Sequence, residues 1–344
     1  MLAMLLSFSV ASSAIQAEGG DLRLNYQQLE DNVALRQADV LAMEEARGRY
    51  HDAMIEPLQQ LARAQLAYRR FDDAKLTNDQ ALRIVRSNHG LYSMKLLPLM
   101  EMAMEIDMGR NEWKRVNDSL KHYAWFLQNK FEGSDTYFLQ RLDWLVQTHF
   151  RGIAGDSGEN EAWHIMSATS VNEYAVRYAQ LNRLTEASLY TELLYSLSRA
   201  YLYEYQGIKG GGSTGYHLRE IIPGLDVLND KWDAMALRYR IGLEKLQMMR
   251  DNLAGRSPAD PAAVAMADIH LANWYLRFER TEEQAMALER GLNALAELGY
   301  VTSAPMALYA ALPSLDRDTL TLEPDGLFAG LPGTHNFSTA IGSD

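Results

Sequence analysis

Two stretches decide how this chain folds: Gly48–Phe71, "GRYHDAMIEPLQQLARAQLAYRRF", and Gly90–Trp113, "GLYSMKLLPLMEMAMEIDMGRNEW". Gly48 and Tyr50 return as Gly90 and Tyr92, and 90 − 48 = 42. Phe71 returns as Trp113, and 113 − 71 = 42 again. The pairs Pro57-Leu58 and Pro98-Leu99 lie 98 − 57 = 41 apart, so one residue shifts between the anchors. Self-similarity at a fixed period is the signature of stacked repeats.

Elementary chemistry gives one unit its form. Gly48 and Gly90 are expected to end a helix in a left-handed conformation, which satisfies the last carbonyls. Pro57 and Pro98 suit the first turn of the next helix, where a missing N–H costs little. Leu58, Leu61, Ala62 and Gln65 then form a helical stripe. "RRFDD" is a turn with Asp72 or Asp73 as the expected N-cap. A second helix follows with Ala74, Ala81, Leu82 and Val85 inward. The next copy supplies Leu99, Met102, Ala103 and Ile106, then Trp113, Val116, Leu120, Tyr123 and Leu127.

With its Leu-x-x-Leu-Ala helix, aromatic turn and small residues in the second helix, this unit resembles the tetratricopeptide repeat (TPR) family, in its longer-period form. The run from Ala81 through Leu120 also resembles exported bacterial proteins of unknown function that carry such repeats. A third match spans 262–298, with Leu271, Ala272, Tyr275, Phe278, Leu288 and a thin position at Gly291. Gln284 stands there where the family has Ala, with Ala285 beside it. The resemblance covers 48–131 and 262–298. It implies an all-α fold, a right-handed solenoid of antiparallel helix pairs that bury their faces only against neighbours.

The segment 132–255 reads as helical but degenerate. Gly133 lies 43 past Gly90 and opens what looks like another first helix, whose partner is displaced by "RGIAGDSGEN". Helices are expected over 160–180, 185–205 and 230–254. The repeat domain is therefore placed at 18–299. Residues 300–344 carry Pro, Gly and Ser at loop frequency and are too few for a domain of at least about 50 residues; they read as an irregular tail.

Composition bounds the function. The chain has 344 residues, 47% hydrophobic and 23% charged, with net charge −12. An acidic surface repels phosphate backbones and argues against nucleic acid. The absence of cysteine excludes disulfides, thiolate zinc sites and Cys nucleophiles. "MLAMLLSFSVASSAIQA" is too short to span a bilayer, which needs roughly 20 apolar residues. It fits a signal peptide over 1–17, cleaved after Ala17, although no Lys or Arg precedes it. The expectation is an exported, periplasmic protein; a retained N-terminus would make it cytoplasmic. No later segment reads as a membrane span.

Few motifs offer chemistry. "GGGSTG", Gly210–Gly215, matches G-x-G-x-x-G, but a dinucleotide site needs a preceding strand, and "SLSRAYLYEYQ" reads as helix. A flexible loop between helices is the simpler expectation. Glu161 and His164 form E-x-x-H, as in di-metal bundles, but no second copy exists; His164 is expected at the surface of a helix starting near Asn160. There is no G-x-S-x-G elbow. The acid pairs Glu44–Glu45, Asp72–Asp73 and Glu282–Glu283 suit helix starts and polar faces. Tyr190, Tyr195, Tyr201, Tyr203 and Tyr205 read chiefly as packing between helices, with a peptide groove as the alternative. The 16 methionines read as core filler. No catalytic residue, cofactor or metal ligand is assigned. The function expected is non-catalytic binding of a protein or peptide on a concave helical surface. The rival is an enzyme or a small-ligand or metal carrier, with a pocket near Glu161, His164 and the glycines.

Overall fold

The computed structural model describes residues 30–156, 160–186, 188–221, 231–256 and 260–299. The expected signal peptide, 1–17, and the tail, 300–344, lie outside them. Among the described residues there is no strand. Helix α1 covers 30–47. Then come α2 (Ile55–Ala67), α3 (Phe71–His89), α4 (Leu97–Gly109), α5 (Trp113–Lys130), α6 (Asp135–Gly155) and α7 (Glu161–Leu181). The rest are α8 (Ser188–Gly210), α9 (Gly212–Ile221), α10 (Lys231–Ala254), α11 (Pro261–Arg277) and α12 (Thr281–Glu297). The chain divides into two compact units, Met1–Gly133 and Ser134–Asp344.

In the first unit the 42-residue period is structural. Helices α2 and α4 start 97 − 55 = 42 residues apart, and α3 and α5 start 113 − 71 = 42 apart. Short 3-10 turns precede the first helix of each pair, at Asp52–Met54 and Met94–Leu96. The glycines sit at the joints. Gly48 N–H bonds the Glu44 carbonyl at 2.8 Å and Gly90 N–H that of Arg86 at 3.1 Å. Their φ values are 89° and 86°. With ψ at 175°, Gly90 is in an extended region open essentially to glycine alone, rather than the left-handed helical one expected. His51 and Ser93 then cap the 3-10 turns, accepting from Ala53 N at 3.1 Å and Lys95 N at 3.3 Å. Pro57 and Pro98 both fall in the first turn of their helices, where N–H groups have no intrahelical partner.

The turn inside each pair also repeats. Arg69 and Asn111 have φ of 58° and 59°. The N–H of the following residue reaches a carbonyl five residues back, Arg70 to Gln65 and Glu112 to Asp107, at 2.8 and 2.9 Å. This tight closure restarts the helix at once, so the N-caps are Arg70 and Glu112, without a side-chain bond. The expectation of Asp72 or Asp73 as N-cap is thereby corrected. Both lie in the first turn, where Asp73 accepts from Arg70 Nε at 2.7 Å and Asp72 pairs with Arg110.

The inward stripes of α2 and α3 are buried as read. In α4 the stripe shifts, with Met104 fully buried and Ala103 only half-buried. Val33 and Val40 of α1 join the same core as Met54, Leu58 and Val85. Phe71 packs on Ala62, Ala74, Met102 and Ile106. Its ring lies where a side chain at Gly109 would project, which lets one pair settle on the next.

In the second unit α6 packs on α7, α7 on α8, α8 on α10, α10 on α11 and α11 on α12. The displaced partner of α6 is thus α7. Gly133 lacks the positive φ of Gly48 and Gly90; Ser134 caps α6 instead, accepting from Tyr137 N at 3.3 Å. The tight turn reappears twice. Arg183 and Glu279 have φ of 58° and 59°, and the next N–H reaches five back, Leu184 to Ala179 and Arg280 to Tyr275. Helix α9 was not anticipated. Close approaches rest on glycines: Gly291 faces the Ala265 carbonyl and Ile269, confirming the thin position, and Gly242 makes room for the Trp274 ring.

Candidate functional site

The interior of the second unit holds buried charged and polar side chains, among them His149, His164, Glu204, Arg238 and Asp268. Glu204 on α8 and Arg238 on α10 form an ion pair with side chains only 4% and 6% exposed. Burial raises the Glu204 carboxyl against the opposing pull of Arg238. Tyr201 donates to Glu173 on α7. Asp268 on α11 takes Arg250 of α10 at 2.7 Å and Arg290 of α12 at 2.6 Å, so one carboxylate joins three helices.

The expected E-x-x-H pair is split between two environments. Glu161 accepts from Thr214 at 2.8 Å, so the structure does bring the glycine-rich segment to α7. That segment is ordered helix and junction, and the flexible-loop expectation is corrected. Gly211 and Gly212, at φ of 70° and 64°, turn α8 directly into α9. A side chain on Gly215 would meet the Gly207 carbonyl, which explains the small residues. His164 is fully buried, correcting the surface placement. Its ring occupies the space that Gly152 leaves on α6. His164 Nδ1 lies 3.1 Å from His149 Nδ1, and its Nε2 lies 3.4 Å from Asp156. Directing the Nε2 proton at Asp156 leaves Nδ1 to accept from His149. Burial lowers both imidazoles, His149 to about 3 and His164 against the opposing pull of Asp156. Among the described residues no group of three or more His, Cys, Asp or Glu is arranged to hold a metal ion.

The tyrosines of α8 pack between helices. Tyr195 meets His270 at 4.5 Å, Tyr203 meets Phe150 at 5.4 Å and Tyr205 meets Phe278 at 4.5 Å. Tyr190 accepts from Gln180 at 3.0 Å. Methionines 54, 104, 249 and 266 are fully buried core.

One face sequence reasoning missed is shared by α6, α8 and α11. Asp143 and Gln147 contribute from α6, and Gln147 Nε2 bonds both Asp143 Oδ1 (3.2 Å) and Ser196 Oγ (3.0 Å). From α8 come Glu192, Tyr195 and Arg199; from α11 come His270 and Arg277. Burial raises Asp143, with Gln147 and Arg199 opposing. It raises Glu192 too, helped by Asp143 and opposed by Arg256. Arg199 holds its guanidinium 4.8 Å above Phe150 and 5.9 Å from Tyr195. Ser196 and His270 are buried, while Asp143, Gln147, Glu192, Tyr195, Arg199 and Arg277 are half-buried, so charged groups are crowded yet reach solvent. A signal did exist: Glu192, Ser196 and Arg199 sit at i, i+4 and i+7, one polar stripe along α8. In the first unit, a groove of about 810 Å³ runs between α1, α2 and the start of α4, lined by Asp39, Met43, Glu56, Gln60, Lys95 and Pro98.

No family model matches this chain, and no curated protein matches it. Among solved structures it is similar to the crystal structure of BtubC (BKLC) from P. vanneervenii. The TM-score is 0.50 at 14% identity, covering 79% of this chain and 93% of that one. At that identity the likeness concerns the fold, and it agrees with an all-α, helical-repeat-like architecture. Among the described residues no helix is long and apolar enough to cross a membrane.

Proposed function

We propose that this chain is a non-catalytic protein-interaction scaffold of the bacterial envelope, a tetratricopeptide-like solenoid exported by the segment 1–17. It binds an extended stretch of a partner protein on the polar face of α6, α8 and α11. The observation that carries the reading is the repeated hairpin: four turns of one geometry, at Arg69, Asn111, Arg183 and Glu279. Such pairs bury their apolar faces on neighbours and leave one broad side-chain surface for recognition. The half-buried, mixed-charge lining by Asp143, Glu192, Arg199 and Arg277 suits a polar, directional partner better than an apolar one.

The test is site-specific photocrosslinking in envelope extracts. A benzophenone side chain at Asn273, on α11 next to Arg277, should yield one dominant adduct. The same group at Leu76, exposed on the first unit, should not. Adducts that are equal at both positions, or absent from Asn273, would refute the scaffold reading. N-terminal sequencing of mature protein should begin at Glu18 if the chain is exported.

A further inference from the structure

We infer that Arg199 and Tyr195 form a carboxylate-binding subsite, so that the partner segment is an acidic peptide. The inference rests on the scaffold reading above and specifies what that face takes. Arg199 makes no hydrogen bond or ion pair with any described residue, and neither does the Tyr195 hydroxyl; their contacts are through rings. These donors are unspent within the chain and open to solvent, so an acceptor from outside can engage them. The guanidinium is also held in place: Phe150 lies under it, and Tyr195 lies beside it. A stacked, planar guanidinium is the group best suited to grip a carboxylate with two parallel bonds.

The neighbours explain why the site is open. Asp143 is close enough to feel Arg199, yet it stays beyond ion-pair distance and accepts from Gln147 instead. Burial raises Asp143 and Glu192 alike, which weakens the two carboxylates that would compete for the guanidinium. Arg256, opposite Glu192, is engaged with Thr191 and Asn252 at 3.3 and 3.1 Å. Arg277, which also influences Tyr195, adds positive charge on the α11 side. Arg199, Arg256 and Arg277 thus outnumber Asp143 and Glu192 on this face, in a chain whose net charge is −12. The local excess opposes the overall sign and would draw an acidic segment to this place rather than elsewhere.

The test uses the full chain and two fluorescein-labelled octapeptides, (Gly-Glu)₄ and (Gly-Gln)₄, followed by anisotropy at low ionic strength. The Glu peptide should bind saturably and at least about tenfold tighter than the Gln peptide. Arg199→Met keeps the aliphatic stem on Phe150 and should lose about tenfold for the Glu peptide while leaving the circular dichroism melt unchanged. Arg83→Gln, an exposed site in the first unit, should bind as the parent does. Equal affinity for the two peptides, no saturation into the millimolar range, or unchanged binding by Arg199→Met would overturn the subsite. If Asn273 still crosslinks a partner in that event, the scaffold stands and only its carboxylate preference falls.

Discussion

Removing one member of the Glu204–Arg238 pair should be the most damaging single change in the second unit, and removing both should not. The two side chains join α8 to α10 and are almost wholly shielded from water. Arg238→Met leaves Glu204 buried without its cation, beside Glu173, which already opposes its ionisation. Stranding one charge of a buried pair costs about 3–5 kcal/mol, because desolvation is no longer offset by attraction. Near-complete burial means solvent screening subtracts little from that figure. Glu204→Leu combined with Arg238→Met removes both desolvation terms and leaves apolar groups of similar volume. That pair should lie within about 1 kcal/mol of the parent, or above it. Urea unfolding followed by far-UV circular dichroism on the parent, both single variants and the double variant gives the cycle. If Arg238→Met unfolds with the parent, or the double variant is as unstable as the single, the assignment of a buried ion pair is wrong.

Acid should unfold the second unit through its histidines. His149 binds a proton at 6.5 when unfolded but at about 3 when folded, so the unfolded state holds the extra proton between those values. Stability is therefore full above pH 6.5 and falls as pH drops, by about 2 kcal/mol on reaching pH 5; His149→Gln should flatten that slope in pH-dependent melts. Gly152→Ala would gain about 1 kcal/mol in an unhindered helix, yet here the new methyl lands on the His164 ring. A net loss of about 1–3 kcal/mol is expected by thermal melting, whereas Gly210→Ala, with open space around it at the last position of α8, should be neutral to stabilising by up to about 1 kcal/mol. Gly90→Ala also meets open space, but at φ of 86° it should cost about 1–3 kcal/mol by backbone strain alone.

The first unit was legible because its information is local and periodic. Gly48 and Gly90, the prolines and the Phe71/Trp113 anchors each act within a few residues of their own position, so spacing alone aligned them. The register of α4 was less so, since Ala103 and Met104 are both apolar and only packing chooses Met104 for the interior. The N-cap was misplaced because Asp72 and Asp73 are good capping residues by type, while the cap is set by where the five-back bond closes. His164 was put at the surface because its burial depends on Gly152, twelve positions upstream on another helix. The face of α6, α8 and α11 was legible only in part: the spacing of Glu192, Ser196 and Arg199 shows its α8 stripe, whereas Asp143 and Arg277 join it from other helices only after docking. The packing reading holds for the rings of Tyr190, Tyr203 and Tyr205, because large amphipathic rings at helical spacing commonly fill the space between helices; Tyr195 also packs its ring on His270, while its hydroxyl belongs to the polar face.

The four hairpin bends place Arg, Asn, Arg and Glu in a backbone conformation that only one of these types favours by itself. The local sequence therefore does not dictate the bend; docking of the two helices does. A synthetic peptide spanning a single hairpin, such as 55–89, would be expected to sample the turn rarely. Autonomy in this molecule begins above the hairpin, and a fragment cut at a joint loses its neighbour's support along with its own shape.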